Sequence, residues 1–138
     1  MSYTPFQSVI SEILQCRSFA VVGVSRDPAK YGHMVYATLK DLGYTVFPIN
    51  PSTDTIGDDI VYPRLETLPE TPDCVVTVVP PAATEHVART AGRMGIRYMW
   101  MQPGSESEAA VNAAHAAGLR VVYGGPCIMV AAKTRKKP

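Results

Sequence analysis

The sequence predicts an α/β fold: one five-stranded parallel sheet covered on both faces by helices. Three observations predict it. Strand-like and helix-like patterns alternate along the chain, which requires parallel strands joined by crossovers. The strand candidates are short, apolar and mostly β-branched, as strands buried on both sides are. Glycines stand where helices should stop, at Gly43, Gly95 and Gly118. Right-handed crossovers then give a doubly wound sheet, with the expected order 3-2-1-4-5.

Thr4 precedes Pro5, and Gln7 follows three residues on, a capping-box start with proline at the first helical position. Phe6, Val9, Ile10, Ile13 and Leu14 then share one helical face, so residues 1–17 read as an N-terminal helix. Phe19–Val24 is the first strand, and the loop SRDPAKYG leads to a helix from His33 to Leu42. Tyr44–Ile49 is the second strand, whose Pro48 marks either its end or a sheet edge. The proline-rich stretch 51–72 reads as connector with one short helical turn at Leu65–Leu68. Cys74–Val79 is the third strand, closed by Pro80-Pro81, and a helix runs from Ala82 to Met94. Ile96–Met101 is the fourth strand. Ser105 with Glu108 suggests another capping box, for a helix that stops at Gly118. Leu119–Tyr123 is the fifth strand, and residues 131–138 read as a mobile basic tail.

Bulk properties narrow the function classes. A chain of 138 residues, 46% hydrophobic and 18% charged, suits a single domain with an apolar core. A net charge of +1 gives no field that implies nucleic acid or an acidic membrane surface. Cys16, Cys74 and Cys127 are too far apart for a zinc site or a disulfide framework, which suits a reducing, cytoplasmic setting. The N-terminus does not read as a signal peptide, and no apolar run approaches the roughly 20 residues that span a bilayer. A monomer or small homo-oligomer is expected.

In an open α/β sheet the ligand crevice lies beyond the carboxyl ends of the strands, where strand order reverses. For the expected order that point falls between the first and fourth strands. The loops in question are Val24–Gly32, Asn50–Thr55, Val79–Ala83, Gln102–Ser105 and Gly124–Cys127. A dinucleotide fingerprint beginning at Gly23 would need two more glycines, where this chain has Ser25 and Pro28; Gly32 comes late, at the helix start. Backbone N–H groups, the Ser25 hydroxyl, Arg26 and Lys30 still suit a phosphate. An ordinary βα loop with solvated charges is the competing reading. At the end of the second strand an NAD site usually carries a carboxylate; Asn50 is neutral, which favours CoA or NADP. Asn50-Pro51 reads equally as a turn. Val79, Pro80 and Pro81 form a stiff apolar ledge suited to an adenine edge or a pantetheine arm.

Together the segments VVGVSRDPAKYGHMVYATLKDLGYTVFPINP, CVVTVVPP and YMWMQPGSES resemble the small stand-alone CoA-binding proteins. These are similar to the CoA-binding domain of the succinyl-CoA synthetase alpha subunit, and the resemblance covers residues 15–130. It implies a Rossmann-like domain that binds coenzyme A, or an acyl-CoA, along the switch-point crevice. Gly23, Val24, Ser25, Arg26, Lys30, Tyr31 and Gly32 would wrap the phosphates. Asn50 and Pro51 would border the adenosine. Val79, Pro80 and Pro81 would line the other wall, with the pantetheine arm running toward Gln102 and Gly104. Two departures stand out: Ser52 replaces a basic residue often found after the Asn-Pro pair, and Gly125-Pro126-Cys127 replaces an Asp-Arg-Cys type segment.

No catalytic or metal-binding signature occurs, so a binding or sensing module is the leading expectation. The alternatives are a small NADP- or NAD-binding redox protein and an interaction protein that has lost its ligand. His86 and His115 read as helix-surface residues, while His33 opens a helix beside the phosphate loop and is a possible ligand contact. Cys74 reads as core, and Cys127 lies on the ligand side, where a mixed disulfide with the CoA thiol is conceivable. Met94, Met99, Trp100 and Met101 read as core packing.

Overall fold

A computed structural model describes residues 5–136. Helix α1 (Gln7–Leu14) leads into β1 (Ser18–Val22), α2 (Tyr31–Asp41) and β2 (Thr45–Ile49). A small hairpin, β3 (Thr55–Ile56) and β4 (Asp59–Ile60), precedes a single 3-10 turn at Leu65–Thr67. Then come β5 (Cys74–Thr77), α3 (Pro81–Met94), β6 (Tyr98–Met101), α4 (Glu108–Ala116), β7 (Arg120–Val122) and α5 (Ile128–Lys136).

The five main strands are parallel and run in the order β2-β1-β5-β6-β7. Parallel sheet and two helical layers agree with expectation. The neighbours differ from the expected 3-2-1-4-5 order, because β5, the third strand of this sheet, lies beside β1 and not beyond β2. Burial explains the placement. All four residues of β5 are buried, so both its faces need cover and it belongs in the middle. The outer half of β2 is exposed to half-buried, and its Pro48 has no N–H to donate, which suits an edge strand. Strand order therefore reverses between β1 and β5, and the loops after these two strands face each other.

Alternation along the strands divides the core in two. Phe19, Val21, Cys74, Val76, Trp100 and Val122 face α1, α2 and α5. Ala20, Ile49, Val75, Met99, Met101 and Val121 face the 3-10 turn, α3 and α4. Trp100, Met99 and Met101 are fully buried, as core packing requires, and the Trp100 indole N–H donates to the Pro126 carbonyl at 3.0 Å. Cys74 is likewise core.

Three local expectations need correction. The cap of α4 is Ser107, whose hydroxyl accepts from the Ala110 N–H at 3.0 Å; Ser105 is buried and donates to the Thr77 and Gln102 carbonyls. Either serine begins an acidic-then-apolar run, and only the burial of Ser105 separates them. The expected tail is helical up to Lys136, because Ile128 and Ala132 fill the core beneath it. In the connector, the hairpin went unread because two-residue strands carry no periodicity. Tyr36 and Lys40 both bond the Asp59 carboxylate and fasten this hairpin to α2. Helix α1 starts at Gln7, and the capping-box residue Thr4 lies outside the described residues.

Helix α2 packs closest at its own start. A Cβ on Gly32 would overlap the Gly23 carbonyl oxygen. Gly32→Ala should lower stability by about 1–3 kcal/mol, as overpacking does, seen as a lower urea midpoint at unchanged slope. A wild-type midpoint would contradict this close approach.

Candidate functional site

The site begins where β1 ends. The chain turns at Gly23, whose φ of +106° suits only glycine and whose absent Cβ leaves room for the Val78 carbonyl oxygen. The N–H groups of Gly23 and Val24 both donate to the Ile49 carbonyl, at 3.0 and 3.2 Å, tying the loop to the end of β2. Val24 is fully buried and anchors the loop from beneath. Asn50 braces it from the side: its amide donates to the Val24 carbonyl at 2.8 Å and its oxygen accepts from the Ser52 N–H at 2.8 Å. The turn reading of Asn50-Pro51 is therefore correct, and the asparagine acts by holding two loops together.

The rest of the loop folds on itself. Ser25 Oγ accepts from the Asp27 N–H, and the Asp27 carboxylate accepts from the Ala29 N–H, each at 3.0 Å. The hydroxyl proton of Ser25 remains to donate outward. His33 Nδ1 lies 2.7 Å from the Ser25 carbonyl oxygen, an acceptor only, so Nδ1 carries the proton and the bond closes the loop onto α2. Lys30 precedes α2, which has no side-chain cap, so its first-turn N–H groups are open to an anion. Arg26 and Lys30 are exposed and belong to none of the ion pairs among the described residues.

Opposite this loop stands the ledge after β5. Pro81 is the first residue of α3 and Pro80 precedes it at φ −58°, so this wall is rigid. Gly23 packs against Val78 and Val79, bringing the two walls together.

At the far end, three expected residues meet. Gln102 is fully buried after β6. Its oxygen accepts from the Ile128 N–H at 2.8 Å, and its amide donates to the Tyr31 hydroxyl at 2.7 Å and the Cys127 sulfur at 3.4 Å. Tyr31 itself donates to Cys127 Sγ at 3.2 Å. Burial raises the Cys127 thiol pKa, but bonds from Tyr31, Gln102 and the backbone N–H groups of Val130 and Met129 bring it below the usual value. Tyr31 is pushed up to about 12 by burial and by its bond to Cys127. The sequence named these three residues in separate loops; their mutual bonding depends on tertiary placement. Gly104 stays outside the cluster, exposed at φ +94°, with its N–H bonded to Glu106 Oε1 at 2.7 Å. Glu106, which sequence reasoning missed, also accepts from the Gly124 N–H at 3.2 Å and so joins two loops.

A second missed feature is a cavity of about 130 Å³ beside Pro51. Val22, Ile49, Leu65 and Val87 line it, together with Pro63, Arg64, Glu66, His86 and Thr90. Arg64, Glu66 and His86 come from the connector and α3, and no sequence pattern links them. His86 and His115 are exposed on their helices, as expected.

A doubly wound sheet with an uncapped helix start at its switch point defines a class of ligand-binding α/β domain. Residues 17–133 match the model of the CoA binding domain, and the chain belongs to that family. It is 26% identical over 123 residues to the alpha subunit of ADP-forming acetate–CoA ligase II of Pyrococcus furiosus, covering 81% of this chain and 27% of that one. It is 30% identical over 81 residues to the ADP-forming acetate–CoA ligase of Methanocaldococcus jannaschii, covering 59% of this chain and 12% of the ligase. The chain thus spans about a quarter or less of these ligases. Among solved structures, a conserved hypothetical protein of Pyrococcus furiosus superposes with a TM-score of 0.77 at 39% identity, over 83% of this chain and 97% of that one. A hypothetical protein of Pyrococcus horikoshii gives 0.87 at 27% identity, over 97% and 98%. No helix among the described residues is long and apolar enough to cross a membrane.

The three cysteines should differ in reactivity. Cys16 is pushed up to about 11 by burial and the nearby Asp73 carboxylate, and burial raises Cys74 well above its usual value. Iodoacetamide at mildly alkaline pH should therefore alkylate Cys127 first, and Tyr31→Phe, which removes a donor to the thiolate, should slow it. Peptide mass spectrometry reads both; first labelling of Cys16, or an unchanged rate in the tyrosine variant, would contradict this electrostatic account.

Proposed function

We propose that this chain binds coenzyme A or an acyl-CoA in the crevice between the loops after β1 and β5, and that it binds its ligand without transforming it. Membership of the CoA binding domain family supports the ligand class. The observation that carries the reading for this chain is the uncapped start of α2 beside Arg26 and Lys30, at the reversal of strand order. There the open N–H groups, the Ser25 hydroxyl and the exposed Arg26 and Lys30 side chains suit a diphosphate. The adenosine end would lie toward Pro51 and its apolar cavity, and the pantetheine arm would run past Val79–Pro81 toward Gln102. The thiol end would then approach Cys127, consistent with a mixed disulfide under oxidising conditions.

The acetate–CoA ligase relatives extend far beyond the region this chain matches, so their likeness supports the ligand and not their whole reaction. The histidines also favour binding over chemistry: His33 is engaged with Ser25, while His86 and His115 lie on separate helices. The dinucleotide alternative is weakened at the end of β2, where the position that usually carries a carboxylate is Asn50, consumed in bracing the loops.

Thermal unfolding with CoA, acetyl-CoA, NAD and NADP compares these ligands directly, since a ligand of the folded state alone stabilises it by about 2.7 kcal/mol at 100 times its Kd. CoA or acetyl-CoA should raise Tm, and the dinucleotides should not. Lys30→Ala should weaken CoA by about 1.5–3 kcal/mol, the worth of a charge-assisted bond. A Tm raised by NADP alone would replace this reading with the redox one, and an unchanged CoA affinity would remove Lys30 from the site.

A further inference from the structure

The cavity beside Pro51 has a floor and a rim of different chemistry. Val22, Ile49, Leu65 and Val87 make the floor aliphatic, and this recess suits a planar, weakly polar base. Arg64 and His86 are the two residues lining it that can present a cationic or N–H donor head, Arg64 from the connector before the 3-10 turn and His86 from α3. Arg64 is exposed, and its guanidinium belongs to none of the ion pairs among the described residues. Its base is nonetheless fixed. Tyr62 bonds the outer edge of β2 through its N–H to the Pro48 carbonyl and through its carbonyl to the Asn50 N–H, both at 2.9 Å. One residue beyond Arg64, Leu65 is buried in the core. The backbone that carries the Arg64 side chain is thus anchored on both sides at the mouth of an apolar recess.

We propose that Arg64, together with His86 on the same cavity, holds the ribose 3′-phosphate of coenzyme A and so lets the chain distinguish CoA from dephospho-CoA. The proposal rests on the CoA reading above. A ribose phosphate next to a buried base needs a donor at the rim of the recess, and a guanidinium fork matches phosphate oxygens two at a time. Arg26 and Lys30 belong to the loop after β1 and serve the diphosphate, which leaves the rim to other residues. Ser52, next to Pro51, has its N–H bonded to Asn50 and carries no charge. Glu66 shares the rim; as an acceptor it suits the exocyclic amine of adenine and not the phosphate. The cation therefore comes from the segment before the 3-10 turn.

Calorimetry of the full chain and of Arg64→Gln, each with CoA and with 3′-dephospho-CoA, tests this. The native chain should bind CoA about 10- to 100-fold more tightly than dephospho-CoA, the range of a charge-assisted bond. Arg64→Gln should weaken CoA by most of that factor, toward the dephospho-CoA level, and leave dephospho-CoA unchanged. Arg89→Gln removes an exposed arginine of α3 that is paired with Glu85 and does not line this cavity, and it should preserve the discrimination. If CoA binds and Arg64→Gln weakens both ligands equally, or neither, this proposal is wrong and the CoA reading stands. If the native chain binds neither ligand, both fall.

Discussion

One backbone contact governs the arrangement: the start of α2 rests directly on the Gly23 carbonyl, with no side chain between them. Neither Gly23 nor Gly32 can carry a Cβ there without displacing main chain. The contact draws α2 down onto β1 and brings its open first turn to the end of the sheet. The loop between them then has little freedom, because Ile49 and Asn50 at the end of β2 and His33 on α2 all bond it. A loop already held in place loses little conformational entropy when an anion arrives. Gly32 thus supplies the tight helix–strand packing that a shorter glycine-rich loop achieves within fewer residues.

The other end of the crevice depends on a buried polar side chain. Gln102 would be costly to bury unless its amide were satisfied, and it is satisfied by three groups from α2, the last loop and α5. Its bonds fix Tyr31 and Cys127 as well as the start of α5. This explains why the chain stays helical after Cys127, where the basic composition alone suggests a loose end. The two ends of the crevice therefore share α2, which begins at the Gly32 contact and is held laterally through Tyr31.

The element types were legible because the apolar strands, the Pro80-Pro81 stop and the glycine helix stops each have a local physical cause. Strand order has no such local cause: it follows from which strands are covered on both faces, with fully buried β5 in the centre and proline-bearing β2 at the edge. The loop residues expected to form the site do gather at the carboxyl ends of the strands. The roles within that set shifted: Asn50 and Val24 brace the loop, and Gly104 stands apart from Gln102. The Arg64, Glu66 and His86 rim was illegible, since it joins residues about twenty positions apart whose proximity follows only from the packing of the 3-10 turn on α3.

The central claim is that a CoA diphosphate is held by the start of α2. A crystal structure of the chain with CoA tests it most directly. The account predicts diphosphate oxygens within hydrogen-bond distance of first-turn N–H groups of α2 and of the Ser25 hydroxyl, with Gly23 and Gly32 still in contact. Diphosphate density elsewhere, such as the polar groove at the amino ends of the central strands lined by Glu12, Arg17 and Arg97, would contradict it.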